Sequence, residues 1–291
     1  MERDHRRRVR SIAALFDRVA PDYDGTGVAW FTPIARALVA EVGPRPGQRA
    51  LDIGCGRGAA LFALAEAVGP DGRVTGIDVA PGMVEAVRAE AAGRGLTTVD
   101  IQLMDASRPD VARLSAYDVV AASMVAFFMP DPVDALRCWR PLLARGGRLG
   151  ISSMGRRDAG WRQLDEVFLP HLPPERREDR LSPIARSFAT AEGVAGLLGE
   201  AGYGPVRVST VDMEAVFDGP EQWKAWSRSH AGRGMWESVP AAELPGVIAA
   251  AEEHLEGLRG ADGRIRLAQQ LVLAVAEAPR GLPAAEAGAS G

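Results

Sequence analysis

The most informative pattern in the chain is a set of three alternate glycines, Gly54, Gly56 and Gly58, within the segment LDIGCGRGAA. Because glycine has no Cβ, it lets the backbone turn sharply and lets a ligand approach the main chain closely. A short apolar strand pattern at 49–53 precedes the glycines and a helical pattern at 59–68 follows them, so the free N–H groups of a helix N-terminus also face the turn. The spacing predicts a cofactor-binding turn at the carboxyl edge of a parallel sheet.

Two aspartates at the ends of predicted strands narrow the choice of cofactor. Asp52 precedes the glycines, where a carboxylate repels a pyrophosphate but suits a positively charged amine or sulfonium. Asp78 ends the next strand pattern, where it can accept hydrogen bonds from ribose hydroxyls. Gly54, Gly56 and Ala59 also satisfy the pattern G-x-G-x-x-G/A, so a nicotinamide or flavin dinucleotide is the alternative cofactor.

The run Asp-Ile-Gly-Cys-Gly-Arg-Gly at 52–58 resembles the first motif of class I S-adenosylmethionine-dependent methyltransferases. The resemblance implies S-adenosyl-L-methionine as the cofactor. It also implies that Val79 and Met83 lie against adenine, that Asp105 and Ala106 bind the adenine amino edge, and that Ser123 and Met124 offer a carbonyl to the methionine ammonium. The cofactor-binding residues that it implies are Tyr23, Asp52, Gly54, Cys55, Gly56, Gly58, Asp78, Val79, Met83, Asp105, Ala106, Ser123 and Met124.

The segment in front of this core narrows the resemblance. Leu15 to Asp24 (LFDRVAPDYD) is similar to the F-D-x-x-A-x-x-Y-D segment of methyltransferases related to the ubiquinone and menaquinone C-methyltransferases. In that group the segment folds over the cofactor, which implies that Tyr23 lies near the methionine end. An amphipathic helix with a terminal aromatic residue is the alternative interpretation. Cys55 and Arg57 depart from the glycine turn of the quinone enzymes, so a quinone substrate is not implied.

Three side chains are candidates for the acceptor side of the chemistry: His230, His171 and Tyr23. His230 follows Trp226 by four residues, which predicts one helix face shared with Trp223. We therefore expect an apolar cavity bordered by Trp223, Trp226, Phe127 and His230. A surface or packing role is the alternative for each histidine, and no role is assigned to His5 or His254.

The elements that position these residues alternate between strand and helix. Strand patterns at 49–53, 73–78, 99–104, 117–124 and 148–153 are separated by helical patterns, the last of which spans 133–144. This alternation calls for a parallel sheet covered on both faces. Further strand patterns at 206–217 and 264–276 complete the predicted fold, an α/β Rossmann-like doubly wound sheet of seven strands. We expect it to be mostly parallel, with a C-terminal antiparallel strand and a helical lid.

The predicted organisation is a single domain at 1–278. It comprises an N-terminal helical cap at 1–46, a cofactor-binding core at 47–154 and lid insertions at 155–188 and 220–263. The segment 279–291 is small and polar, and we expect it to be disordered.

Composition limits the partners. The chain has 291 residues, of which 34 are basic and 38 acidic, and the net charge of −4 gives no footprint for nucleic acid or an anionic membrane. The apolar segment 124–130 stands where nucleobase amino-methyltransferases carry (N/D)PP(Y/F). The two cysteines form neither a disulfide framework nor a metal-binding pair. As conceivable metal ligands, Asp131 and Asp134 have only ordinary turn and helix positions. We expect a cytoplasmic protein without a bound metal, possible as a homodimer.

These observations predict a methyltransferase for a mainly apolar small molecule, such as a secondary or quinone-like metabolite. Oxygen or carbon is favoured over nitrogen as the methyl acceptor, by in-line transfer under the lid. The alternative is a cyclase or pericyclase-like enzyme that binds the same cofactor without transferring its methyl group. A non-catalytic partner subunit is less favoured, because the strand ends that would bind the cofactor are intact.

Overall fold

The computed structural model describes residues 2–114 and 116–278, so the predicted disordered tail at 279–291 lies outside the described residues. Alternation of short β-rich segments with helices produces one sheet of seven strands within this part of the chain. The strands are β1 (Arg49–Ile53), β2 (Arg73–Asp78), β3 (Val99–Leu103), β4 (Tyr117–Ser123), β5 (Leu143–Arg157), β6 (Val206–Phe217) and β7 (Ile265–Glu277). Across the sheet their order is β3-β2-β1-β4-β5-β7-β6.

The strand directions confirm the predicted fold class. β1 pairs in parallel with β2 and β4, β2 with β3, and β4 with β5. β7 pairs antiparallel with both β5 and β6. The order of the strands across the sheet changes direction between β1 and β4. Ligands of open α/β sheets bind at the carboxyl ends of the strands beside such a switch point.

Helices cover both faces of the sheet because side chains on each strand alternate between them. Ala50 faces the cluster that contains Leu38 and Leu61, whereas Leu51 faces the cluster that contains Trp139 and Leu198. The helices are α1 (Glu2–Val19), α2 (Phe31–Val42), α3 (Ala59–Val68), α4 (Pro81–Gly93), α5 (Pro132–Trp139), α6 (Ala159–Phe168), α7 (Pro174–Leu181), α8 (Pro183–Phe188), α9 (Ala191–Glu200), α10 (Pro220–Arg228), α11 (Arg233–Trp236) and α12 (Leu244–Gly257).

The largest difference from the sequence prediction lies around Pro141. The helix predicted over 133–144 ends at Trp139, and a short 3-10 turn at Arg140–Leu142 follows it. Proline lacks the N–H that would continue the helix, and its ring clashes with the preceding turn. β5 therefore begins at Leu143 and continues to Arg157, well beyond the predicted 148–153.

Thr32 lies inside the first turn of α2, and its hydroxyl donates to Asp24 at 3.4 Å. The segment 220–263 holds three helices, α10, α11 and α12. Across the described residues, no helix combines the length and apolar character needed to cross a membrane.

Candidate active site

The glycine-rich turn joins β1 to α3, and its three glycines have left-handed φ angles of 65° at Gly54, 49° at Gly56 and 88° at Gly58. A Cβ on Gly54 would overlap the side chain of Val125, and a Cβ on Gly58 would lie 2.5 Å from Cε2 of Phe62. A Cβ on Gly56 would meet nothing within 4 Å. Packing therefore requires the outer two glycines, whereas open space in front of Gly56 leaves its backbone accessible to a ligand.

The carboxylate of Asp78 at the end of β2 is held by the turn itself. Its Oδ2 accepts the N–H of Gly56 at 2.8 Å, and its Oδ1 accepts the N–H of Ala80 at 2.9 Å. Burial raises the pKa of Asp78, and these backbone hydrogen bonds oppose that rise. A carboxylate has about four acceptor positions, so Asp78 retains capacity for the hydroxyls of a ribose.

Asp52 at the end of β1 is a buried carboxyl group with one oxygen that is unpaired within the described part of the chain. The residue is 1% exposed, and its Oδ2 has no hydrogen-bond partner among the described residues. Burial, and then the neighbouring Asp78, raise the pKa of Asp52 well above its usual value. A cation beside Asp52 would offset both effects. The position therefore fits a ligand that carries an ammonium or sulfonium group.

The end of β4 carries an unusual backbone. Met124 has a φ of 58°, a left-handed conformation that residues other than glycine rarely adopt. Its N–H donates to Oγ of Ser152 at 3.0 Å, and that hydroxyl also lies 3.3 Å from Oγ of Ser123. Ser152 is fully buried on β5, so a neighbouring strand holds the turn that presents Ser123 and Met124. Such strain clusters at ligand sites.

The loop after β3 is tied to the N-terminal helix. Oδ1 of Asp105 accepts hydrogen bonds from the N–H and the hydroxyl of Ser107, at 2.8 and 2.6 Å. Nε2 of His5 lies 3.2 Å from Oγ of Ser107 and 3.7 Å from Oδ2 of Asp105. Ala106 is fixed through its carbonyl, which accepts from Nε1 of Trp139 at 2.7 Å. His5, to which the sequence assigned no role, thus belongs to the surroundings of Asp105.

The segment around Tyr23 closes over the same edge of the sheet. The Tyr23 ring stacks on Phe31 with centroids 4.7 Å apart, and burial raises the pKa of its phenol. Nη1 of Arg57 in the glycine turn donates to the carbonyl of Ala20 at 2.7 Å. Met83 is 1% exposed and packs against the Ala20 region. The cap is therefore attached to both the turn and α4.

These elements enclose a cleft of about 990 Å³, open solvent included. One end is lined by predicted cofactor residues: Tyr23, Gly54, Gly56, Asp78, Val79, Met83, Asp105, Ala106, Ser123 and Met124. The other end is apolar and is lined by Trp30, Phe127, Phe128 and Met154, with His230 among them. The sequence missed Trp30 and Met154 because one precedes α2 and the other lies at the irregular end of β5, where no residue pattern marks them.

A second, more polar cleft lies on the α3 side of the glycine turn. Asp52, Cys55 and Arg57 line it, and Tyr23 and Gly54 are among the residues it shares with the first cleft. Nε of Arg57 is buried without a hydrogen-bond partner in the described part of the chain. Asp52 and Cys55 line only this second cleft, which they share with Tyr23, Gly54, Gly56 and Ser123. Gly58 lines neither cleft.

One prediction about the acceptor side is wrong. Trp223 and Trp226 do not border the cleft but are buried in the core, each 3% exposed. Trp226 packs edge-on against Trp30 with centroids 5.7 Å apart, because the apolar face of α10 turns toward the sheet. His171 lines neither described cleft; its Nδ1 lies 3.4 Å from Glu243.

Few residues of the two predicted lid segments line the cleft. No described residue of 155–188 lines the cleft, and of 220–263 only His230 and Ala231 reach it. The helices α6 and α12 instead pack on each other. α1 supplies the cover through side chains that include Ile12 and Phe16.

Of the predicted acceptor-side residues, Tyr23, Phe127 and His230 line the cleft. The ring of His230 packs against Trp226 with centroids 4.3 Å apart and against Phe31 at 5.7 Å. Nδ1 accepts the N–H of Gly232 at 3.1 Å, and burial lowers the pKa of the imidazole to about 4. The ring is therefore neutral at physiological pH.

Comparison with known proteins agrees with this geometry. The sequence at 51–149 matches the family model described as a methyltransferase domain. Nocamycin O-methyltransferase of Saccharothrix syringae is 39% identical over 252 residues, covering 77% of this chain and 84% of the relative. Aklanonic acid methyltransferase DauC of Streptomyces sp. (strain C5) is 40% identical over 210 residues, covering 69% of this chain and 95% of the relative.

The fold comparison covers more of the chain. The YcgJ protein of Bacillus subtilis superposes with a TM-score of 0.57 at 15% identity, covering 85% of this chain and 99% of that one. This likeness shows a shared fold, whereas the sequence relatives show the family. With its glycine turn, its strand-end aspartates and its methyltransferase relatives, the chain belongs to the class I S-adenosylmethionine-dependent methyltransferases.

Proposed function

We propose that the protein transfers the methyl group of S-adenosylmethionine to an oxygen atom of a mainly apolar small molecule bound in the first cleft. The observation that carries this proposal is the continuity of that cleft: predicted cofactor residues line one end and Trp30, Phe127, Phe128 and Met154 the other. Oxygen is favoured because the two relatives of highest identity given above are an O-methyltransferase and a methyltransferase of an acid.

The chemistry of the residues in the site supports most of the predicted cofactor contacts. Asp78 would accept the ribose hydroxyls, and Val79 and Met83 would pack on adenine, with Asp105 and Ala106 at its amino edge. Asp52 would offset the positive charge of the methionine end, and the carbonyls after β4 would accept its ammonium. Tyr23 lines both clefts and would lie at the same end.

The protein's own part in the reaction is to position the acceptor and to exclude water. The cofactor supplies the activated methyl group. α1 and the Tyr23 segment cover the cleft, and the aromatic side chains at its far end hold the acceptor against the reacting end.

The test uses purified protein, S-adenosylmethionine labelled with ¹³C in its methyl group, and aklanonic acid as the acceptor probe, together with a panel of polycyclic phenols and apolar carboxylic acids. We expect the label in an O-methyl group, read from its ¹³C chemical shift, and no product with Asp78→Ala. A label on carbon overturns the O-methyl proposal. Acceptor conversion without label supports the cyclase alternative instead.

A further inference from the structure

The hydrogen bonding of His230 determines which of its ring nitrogens carries the proton. Nδ1 accepts the backbone N–H of Gly232 at 3.1 Å, so Nδ1 presents a lone pair. A neutral imidazole has one N–H and one lone pair. The proton of His230 therefore resides on Nε2, and the neutral ring offers a donor at that atom rather than a base.

The surroundings of the ring keep it in this state. Trp226 and Phe31 pack edge-on against it, and burial is the cause that lowers its pKa. Nε2 is buried and has no hydrogen-bond partner within the described residues. An unpaired buried donor costs about 1–3 kcal/mol. His230 lines the cleft, so a bound molecule whose acceptor atom reaches Nε2 from the cleft would remove this cost.

The other titratable side chains that line this cleft in the described part of the chain are Tyr23, Asp78 and Asp105. The raised pKa of Tyr23 keeps its phenol protonated. Both oxygens of Asp78 accept backbone N–H groups, and Oδ1 of Asp105 accepts from Ser107. The groups that could remove a proton are thus either protonated or engaged in hydrogen bonds.

We propose that Nε2–H of His230 donates a hydrogen bond to a carboxylate of the methyl acceptor, which arrives already ionised and is converted into a methyl ester. The inference rests on the proposed function and names its substrate class. A carboxylate suits the geometry because one oxygen can accept from His230 while the other attacks. The new O–CH₃ bond forms as the S–CH₃ bond breaks, and the electron pair of that bond stays on sulfur. Anion and sulfonium neutralise each other, so no proton moves.

The first test observes the ring directly. Protein labelled with ¹⁵N-histidine and loaded with S-adenosylhomocysteine is studied by long-range ¹H–¹⁵N correlation, and the His230 signals are assigned by their loss in His230→Gln. We expect the Nε2–H tautomer, and a downfield shift of that proton on adding 2-naphthoate but not 2-methylnaphthalene. An Nδ1–H tautomer, or no response to 2-naphthoate, overturns the inference.

The second test uses a matched pair of variants. His230→Gln retains an N–H donor near the position of Nε2, whereas His230→Phe retains the ring volume without a donor. We expect 2-naphthoate to bind at least about tenfold more weakly to His230→Phe and within about threefold of the original affinity in His230→Gln. Equal weakening in both variants, or none in either, contradicts the assigned role.

Calorimetry with S-adenosylmethionine helps to distinguish a failure of the carboxylate inference from a failure of the proposed function. Both variants should bind the cofactor as the unsubstituted protein does, which also shows that they fold. Loss of the His230 effect with an intact O-methyl product leaves the proposed function standing and removes the carboxylate inference. A carbon-methylated product removes the proposed function, whatever the tautomer of His230.

Discussion

Oδ1 of Asp17 accepts the backbone N–H of Gly82 at 2.7 Å. The bond joins the last turn of α1 to the first turn of α4 and satisfies one of the free N–H groups at the start of that helix. A Cβ on Gly82 would lie 3.2 Å from the same carboxylate oxygen. The aspartate of the F-D pattern therefore attaches the cover of the cleft to the helix that carries Met83.

Removing this attachment should loosen the cover. Asp17→Ala should cost about 1 kcal/mol of unfolding free energy, the usual value of a lost helix cap. It should also speed proteolysis before α2 and weaken S-adenosylmethionine binding several-fold. Asp17→Asn keeps an acceptor oxygen and is the control. Equal proteolysis rates for the Ala and Asn variants would show that the bond does not hold α1.

Alanine substitution should separate the functions of the three glycines. All three have left-handed φ angles, which cost alanine about 1–2 kcal/mol. Gly54→Ala and Gly58→Ala should lose more stability, because the added Cβ meets Val125 or Phe62. Gly56→Ala should lose only the stability that the left-handed backbone costs an alanine. Relative to that loss, it should weaken cofactor binding more than the other two variants do. Urea unfolding and calorimetry measure the two quantities, and similar ratios for all three variants would contradict this division.

Asp52→Asn should raise the stability of the protein and weaken its binding of the cofactor. The raised pKa of Asp52 means that the folded state holds its proton at higher pH than the unfolded chain, so this residue lowers stability as pH rises above about 3.8. The amide removes that cost and also the charge that would offset an ammonium. We expect a higher melting temperature near pH 7 and cofactor binding weakened about tenfold or more.

The control for Asp52→Asn is Asp118→Asn, since Oδ2 of Asp118 accepts the N–H of Arg49 at the opposite edge of the sheet. It should leave cofactor binding unchanged. Unaltered binding in Asp52→Asn would contradict the assignment of Asp52 to the positive end of the cofactor.

His230 should make the stability of the protein depend on pH. Its folded pKa of about 4 lies below the usual 6.5, so between these values the unfolded state binds more protons and stability falls as pH falls. His230→Phe lacks this loss. As pH falls from about 7 to about 5, His230→Phe should therefore become more stable relative to the original protein. Urea unfolding at both pH values measures the difference, and a constant difference would refute the prediction.

Truncation of aromatic residues should distinguish core from cleft. Trp223→Ala should cost about 3–5 kcal/mol, because the ring is buried against Phe168 and Trp236, with cofactor binding preserved in the folded protein. Phe128→Ala should cost less and change which acceptors are methylated, because Phe128 lines the cleft. Competition between acceptors of different width measures the second effect. An unchanged preference would exclude Phe128 from acceptor selection.

Much of the cofactor end could be predicted because its signals are local. A strand, a glycine turn and a helix are specified within the twenty residues that form them, as at 49–68. The carboxyl ends of adjacent parallel strands meet at one edge, so Asp52, Asp78 and Asp105 had to come near each other once the strands were recognised. Whether each of these residues binds the cofactor remains a prediction.

The acceptor end was decided by packing between distant segments. Helical spacing predicted one helix face shared by Trp223, Trp226 and His230, but α10 ends at Arg228, so His230 lies beyond the helix. Both tryptophans are buried in the core, whereas His230 lines the cleft. Periodicity identifies the apolar face of a helix, whereas the element that covers this face depends on the whole fold. The sequence alone determined the sheet, the glycine turn and the family's cofactor. Only the tertiary structure placed Trp30 and Met154 at the cleft and brought Nδ1 of His230 to the N–H of Gly232, because those features depend on contacts that no single segment encodes.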